Sequence, residues 1–318
     1  MMRVTFLGTS AACPTVRRNV SAIAVQREGD LMLFDCGEGT QRQMMRYGTG
    51  FSLWAVFITH LHADHFVGVT GMLRTMALQG RNEPLLLTCP VSGRRVLEDA
   101  VHLGFDRLSF PVEVRELRPG ESVSRDGYEV CAYRVNHGMP ALGYVLREDD
   151  RRGRFDVERA RALGVPEGPA FGRLHRGEVV EVDGRRVRPE EVVGPNRRGR
   201  TVVYTGDTRP VRSTVKAAAG AELLIHESTF SGDASERARA TFHSTAAGAA
   251  RVARDAGVAR LALTHISARY SEQPARLARE ARRLFPATVV ASDGLTLEVP
   301  YRDEPPAPTT GGAGGETT

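Results

Sequence analysis

The sequence predicts an α/β fold: a layered body of strands and helices, interrupted once by an inserted segment. Three observations predict it. Short apolar runs of strand length are closed by Gly-rich turns, helical patterns with recognisable ends follow several of them, and both patterns lapse between Arg147 and Arg200 before resuming.

Val4 to Leu7, Ser21 to Val25, Leu31 to Phe34 and Ala55 to Thr59 read as strands, the third closed by Asp35-Cys36-Gly37-Glu38-Gly39. A helix is expected near Phe66 to Ala77. Further strands fit Leu85 to Thr88 and Tyr128 to Val135, the latter alternating as a half-buried strand does. The segment 147–200 holds 14 arginines against 11 acids, with Gly/Pro-rich pieces at 164–169 and 194–196 and one hairpin pattern at Glu178 to Val187. It reads as an insertion projecting from the body. Strands resume at Thr201 to Thr205, Leu223 to His226 and Leu261 to Thr264. Helices fit Thr245 to Asp255, stopped by Gly257, and Pro274 to Leu284, stopped by Pro286. Residues 303–318 open with Asp-Glu-Pro-Pro and continue in Gly and Thr, the composition of a disordered tail, so the expected domain is 1–302.

With 318 residues, 41% of them hydrophobic, the chain has ample apolar material for a large core. No run approaches the roughly 20 apolar residues of a membrane helix, and the amino terminus turns polar too soon for a secretory signal. A cytoplasmic protein with no membrane partner is expected. Cys13, Cys36, Cys89 and Cys131 are scattered, which argues against a thiolate metal site or a disulfide framework and for buried free thiols. Among 43 basic side chains Lys216 is the only lysine. Guanidinium suits bidentate phosphate contact, so this composition is compatible with a nucleic-acid partner.

The sharpest motif is Thr59-His60-Leu61-His62-Ala63-Asp64-His65. Three imidazoles and a carboxylate directly after an apolar strand form the N/O donor set that zinc or manganese accepts, whereas so dense a histidine cluster has no packing rationale. One loop does not easily wrap one metal with all four groups, so a two-metal site completed by distant ligands is expected. Those ligands belong at the carboxyl ends of strands along the same sheet edge. His137, Asp207 and His265 each follow an expected strand, and a carboxylate such as Asp207 suits a bridge between two cations. His102 and His175 lack ligand-like neighbours, and His226 reads as a core group.

The pattern His60-x-His62-x-Asp64-His65 with His137, Asp207 and His265 resembles the metallo-β-lactamase superfamily and, within it, the ribonuclease Z family. The likeness runs over about residues 2–300. Phe34-Asp35-Cys36-Gly37-Glu38 resembles the family's second-strand motif, whose aspartate braces the histidine loop, and His226-Glu227-Ser228-Thr229-Phe230 resembles its His-Glu-Ala-Thr-Phe segment. Phe242-His243-Ser244-Thr245 is similar to the His-Ser-Thr motif, and Thr264-His265-Ile266-Ser267-Ala268-Arg269-Tyr270 to the last metal motif. Gly164-x-Pro166-x-Gly168-Pro169 resembles the exosite arm that grips the tRNA elbow. One departure stands at Pro14-Thr15-Val16-Arg17-Arg18-Asn19: Val16 takes the place of the family's lysine, with Arg17 one step away.

The resemblance implies an αββα four-layer sandwich with a protruding exosite arm and two zinc ions per subunit, manganese being the alternative. His60, His62 and His137 would hold one ion, Asp64, His65 and His265 the other, with Asp207 bridging. It implies an endoribonuclease that removes the 3′ trailer from precursor tRNA and leaves a 3′-hydroxyl, a hydroxide between the metals attacking phosphorus. Asp64 is the expected proton acceptor, and His243, oriented by Glu227, the expected acid, standing before a helix capped by Ser244. A homodimer is implied, with no other protein partner. Three competing readings are a hydrolase of small phosphodiesters or esters, a non-catalytic RNA-binding protein and a di-iron redox protein on the same fold, the last opposed by histidine at both His62 and His137. A large arginine-rich insertion argues against the first, and seven intact ligand positions against the second.

Overall fold

The computed structural model describes residues 1–104 and 107–302, so the expected tail at 303–318 lies outside the described residues. The chain first lays down β1 (Met2–Gly8), β2 (Ala22–Arg27), β3 (Asp30–Phe34), β4 (Leu53–Phe57), β5 (Leu85–Pro90) and β6 (Val112–Leu117) as neighbours in one sheet. It then builds β7 (Ser122–Arg125), β8 (Tyr128–Arg134) and β9 (Leu142–Glu148), sets aside a hairpin of β10 (Val180–Val182) and β11 (Arg185–Val187), and continues with β12 (Thr201–Tyr204). Next come β13 (Leu223–Glu227), β14 (Arg260–Thr264) and β15 (Thr288–Val290); β16 (Thr296–Glu298) returns to the first sheet beside β1. The second sheet has the order β15-β14-β13-β12-β9-β8-β7.

From β3 to β6 and from β12 to β15 neighbouring strands are parallel, which requires crossovers. Helices α1 (Thr40–Tyr47), α2 (Ala63–Phe66), α3 (Gly68–Leu78) and α4 (Arg94–His102) serve the first half. After α5 (Val157–Ala162) and α6 (Pro169–His175) of the insertion, α7 (Arg212–Ala217), α8 (Ser235–Ala240), α9 (Ala246–Ala256) and α10 (Pro274–Arg282) serve the second.

Strand alternation assigns each side chain to a layer. On β3, Met32 and Phe34 join Phe6, Phe57, Tyr144, Leu146, Tyr204 and Ile225 between the sheets. Leu33 points the other way and packs with Val56, Leu87, Met44, Leu73 and Leu97 under α1, α3 and α4. Leu224 and Leu263 likewise meet Ala249, Ala253 and Leu277 of α9 and α10. Three apolar interfaces thus join four layers, helix-sheet-sheet-helix, as expected. Strands with both faces buried read as near-continuous apolar runs, which is why they are visible in the sequence.

Residues Glu148–Gly199 form a compact unit of their own. Ala160, Val165, Leu174, Val180, Val187 and Val192 make a small core under α5, α6 and the hairpin, more apolar order than its sequence pattern announces. Arg151 and Arg197 exchange backbone hydrogen bonds of 2.7 Å, each accepting the other's N–H, and so close the unit's stem. Many of its acids face arginines: Arg161 pairs with Glu158 and Glu167, Arg173 and Arg176 with Glu178, Arg185 with Glu191.

Two local expectations are corrected. The amino-terminal cap of α9 is Thr245, not Ser244: Thr245 is extended (ψ 159°) and accepts the Gly248 N–H at 3.1 Å, while Ser244 Oγ donates to the Thr208 carbonyl. Of the four thiols, Cys36 and Cys89 are buried, but Cys13 is exposed on the loop after β1 and Cys131 is half-buried. Among the described residues no helix is long and apolar enough to cross a membrane.

Candidate active site

The ends of both sheets meet at one point. β4 leads into the loop carrying His60, His62, Asp64 and His65, while His137 follows β8, Asp207 follows β12 and His265 follows β14. The expectation of a single sheet edge is therefore corrected: the histidine loop belongs to the first sheet and the three distant positions to the second. Ligand atoms of His60, His62, His137 and Asp207 lie within 4.8 Å of one another, as do those of Asp64, His65 and His265. Asp207 Oδ2 links the two groups, 3.7 Å from His60 Nε2, 3.5 Å from His65 Nε2 and 3.3 Å from His265 Nε2. His62 turns Nδ1 inward, 3.1 Å from His60 Nε2 and 3.2 Å from His137 Nε2.

The outward nitrogens of four of these imidazoles are held, which fixes the nitrogen that each turns into the cluster. A carboxylate only accepts, so His65 Nδ1–H donates to Asp35 Oδ2 at 2.7 Å. Thr59 spends its hydroxyl proton on Asp35, at 2.9 Å from Oδ2, and so accepts from His60 Nδ1–H at 3.0 Å. His137 Nδ1 faces the Phe242 carbonyl at 3.4 Å, and His265 Nδ1 faces Thr229 Oγ1 at 2.8 Å. Each ring is left with Nε2 directed into the cluster. His65 Nε2 and Asp207 Oδ1 are buried there without any hydrogen-bond partner, the arrangement a divalent cation relieves. Five imidazoles and two carboxylates fit such an ion in number, burial and chemistry.

Burial opposes a charged His65, but Asp207, Asp35 and Asp64 outweigh it and raise that imidazole well above the ordinary histidine pKa, a positive charge that a bound cation would replace. Burial, reinforced by His65, holds the His60 imidazole well below the ordinary histidine pKa, and burial lowers His137 too, so both rings stay neutral donors. At Asp207 burial opposes the charge, but His265 and His65 outweigh it and the carboxyl stays ionised. Asp64 behaves alike: burial works against ionisation, and His65 and His265 overcome it. Asp64 Oδ2 also accepts the backbone N–H of Ala12 at 2.8 Å.

Beside the cluster, His243 Nδ1 stands 2.8 Å from Glu227 Oε1. Burial disfavours the cation, yet this carboxylate outweighs burial and raises the His243 pKa to about 9. Glu227 itself is buried, accepting N–H from Thr208 and Thr229 at 3.1 Å each. The neighbouring Phe242 adopts φ 61°, a costly backbone for an aromatic residue, and the Arg209 guanidinium stacks on its ring at 4.0 Å.

In the loop that departs from the family pattern, Val16 is fully exposed. Arg18 is buried, donating to Thr9 Oγ1 and to the Ala291 carbonyl, and Arg17 pairs with Glu272 at 3.3 Å. The remaining histidines stay apart from the cluster: His175 Nε2 faces the Gly153 carbonyl, His226 Nδ1 that of Glu227, and His102 ends α4.

Sequence reasoning missed the supports that are not ionisable at neutral pH. Tyr204 OH donates to Asp35 Oδ2 at 2.7 Å, and burial, then Asp35, keeps it a phenol. Thr59 and Thr229 lie inside motifs without their oxygens announcing a role, and the Ala12 N–H carries no signal at all.

A family model described as "Anti-Pycsar protein Apyc1" matches residues 2–145, and one described as "Beta-lactamase superfamily domain" matches residues 175–266. The chain is 57% identical over 305 residues to a Ribonuclease Z of Myxococcus xanthus, covering 95% of this chain and 99% of that protein. A Ribonuclease Z of Haloferax volcanii is 54% identical over 319 residues, covering 99% of each. Among solved structures, the short form of human tRNase Z superposes with a TM-score of 0.69 at 28% identity, covering 94% of this chain and 99% of that one.

Proposed function

Because the chain belongs to the ribonuclease Z family and has the metallo-β-lactamase fold, we propose that it is the endoribonuclease that cuts precursor tRNA at its 3′ side, releasing the trailer and leaving a 3′-hydroxyl on the tRNA. The observation that carries the reading is the seven-ligand cluster joined by Asp207 with the His243–Glu227 pair beside it. Two zinc ions, or manganese, would be held by His60, His62 and His137 and by Asp64, His65 and His265, with Asp207 between them; bound there, they lower the pKa of water and neutralise charge on the phosphate.

The protein's own groups do the rest. Asp64, anchored by the Ala12 N–H, accepts a hydrogen bond from the attacking water and takes its proton. Its strong acidity makes it a weak base, so aiming the water is its larger contribution. As the water oxygen bonds to phosphorus, the bond from phosphorus to the ribose 3′-oxygen breaks. His243, kept cationic by Glu227, gives that oxygen its proton. The unit Glu148–Gly199 is the proposed tRNA-gripping arm, and the rest of residues 1–302 the proposed catalytic body. The active form is proposed to be a homodimer in the cytoplasm, one subunit's arm holding tRNA for its partner's site.

The test is to incubate the zinc-loaded protein with precursor tRNA and map the new 3′ end, with and without an encoded CCA. A single cut leaving a 3′-hydroxyl at the tRNA boundary is expected. Hydrolysis of small phosphodiesters with intact precursor tRNA would overturn the reading.

A further inference from the structure

Two carboxylates at the site are wired in the same way. Asp35 meets one histidine directly, His65 at 2.7 Å, and a second, His60, through the Thr59 hydroxyl. Glu227 also meets one histidine directly, His243 at 2.8 Å, and a second, His265, through Thr229. Thr229 Oγ1 lies 2.8 Å from both Glu227 Oε2 and His265 Nδ1, and the Thr229 N–H donates to the same Oε2 at 3.1 Å.

Proton counting fixes the direction of this relay. Glu227 only accepts, so the one hydroxyl proton of Thr229 goes to Oε2. The hydroxyl oxygen then accepts from His265 Nδ1–H, which directs Nε2 into the cluster, 3.4 Å from Asp64 Oδ2 and 3.3 Å from Asp207 Oδ2. His265 sits at φ 54°, a left-handed backbone that a non-glycine residue holds only when its surroundings enforce it. Thr229 and His265 are both buried, so no water competes for the contact.

We propose that Thr229 is a positioning residue: its hydroxyl locks His265 in the tautomer that offers Nε2 to a metal and ties that ligand to the carboxylate that charges His243. The proposal rests on the two-metal reading above. It assigns the relay a role distinct from packing, because valine fills the same space without the hydroxyl and serine keeps the hydroxyl without the methyl group.

The experiment titrates Zn²⁺ into metal-stripped wild type, T229V, T229A and T229S against a chromogenic chelator. Both T229V and T229A are expected to bind one of two zinc ions about 10- to 100-fold more weakly, the usual effect of losing a ligand's hydrogen-bonding partner, with T229S close to wild type. T229A leaves the test intact should T229V fail to fold. Two zinc ions bound by T229V or T229A within twofold of wild type, or a loss in T229S equal to that in T229V, would overturn the relay while leaving the proposed activity standing. Fewer than two zinc ions on the wild type, by contrast, would overturn the two-metal reading itself.

Discussion

The Asp35 carboxylate stands 2.7 Å from His65 Nδ1 with neither side chain reached by solvent. Asp35 also accepts from Tyr204, from the Thr59 hydroxyl and from the Thr59 N–H, so it holds the whole histidine loop against the second sheet. Removing one partner of a buried, hydrogen-bonded charge costs roughly 3–5 kcal/mol. Asp35→Ala is expected to lose about that much stability by urea unfolding and to bind zinc more weakly, although Asp35 stands outside the ligand groups. Unchanged unfolding midpoints would contradict this.

Asp64 lies between His65 and His265 at 3.5 and 3.4 Å and faces the expected reaction centre. Asp64→Ala is predicted to abolish nearly all precursor cleavage while tRNA affinity, measured by filter binding, stays within a few-fold of wild type. Parallel loss of binding and cleavage would show that the cluster serves substrate affinity rather than chemistry.

His243 must be protonated to serve as an acid, so activity is expected to fall as pH rises through its pKa. Glu227 is what raises that pKa. Glu227→Gln is therefore predicted to shift the alkaline limb of the kcat profile to lower pH. His243→Ala is predicted to slow the single-turnover step by about 10²- to 10⁴-fold, the usual worth of general acid catalysis. An alkaline limb that stays in place in Glu227→Gln would sink the assignment.

Deleting residues 150–195 is expected to spare the body, because Arg147 and Thr201 pair on adjacent strands and a short link can join them. Hydrolysis of bis(p-nitrophenyl) phosphate is predicted to persist while precursor tRNA cleavage disappears. If both fall together, the unit is structural. For the intact protein, log affinity for tRNA is expected to fall linearly with log salt, and the slope to flatten on deletion.

What could be read from the sequence follows from chemistry. Dense ionisable residues after an apolar strand, as at His60 to His65, have few structural explanations, and His137, Asp207 and His265 share a strand-end position. Tyr204 and Thr229 gave no such signal: tyrosine and threonine are ordinary residues in and beside strands, and only the folded chain shows which oxygen each one meets. The insertion's core was equally silent. Its six apolar residues serve two helices and a hairpin at once, so no single period runs through them. The misplaced cap has a local cause, since Ser244 and Thr245 have equal chemistry and only the backbone decides between them.

The stem at Arg151 and Arg197 carries a consequence for how such enzymes diversify. An insert whose two ends are joined by their own backbone hydrogen bonds, and which brings its own core, asks little of its host beyond two neighbouring strand ends. Lengthening or exchanging it adds only a slowly growing loop-closure cost. The insert can therefore be exchanged for another while the ligand cluster in the body keeps its own supports.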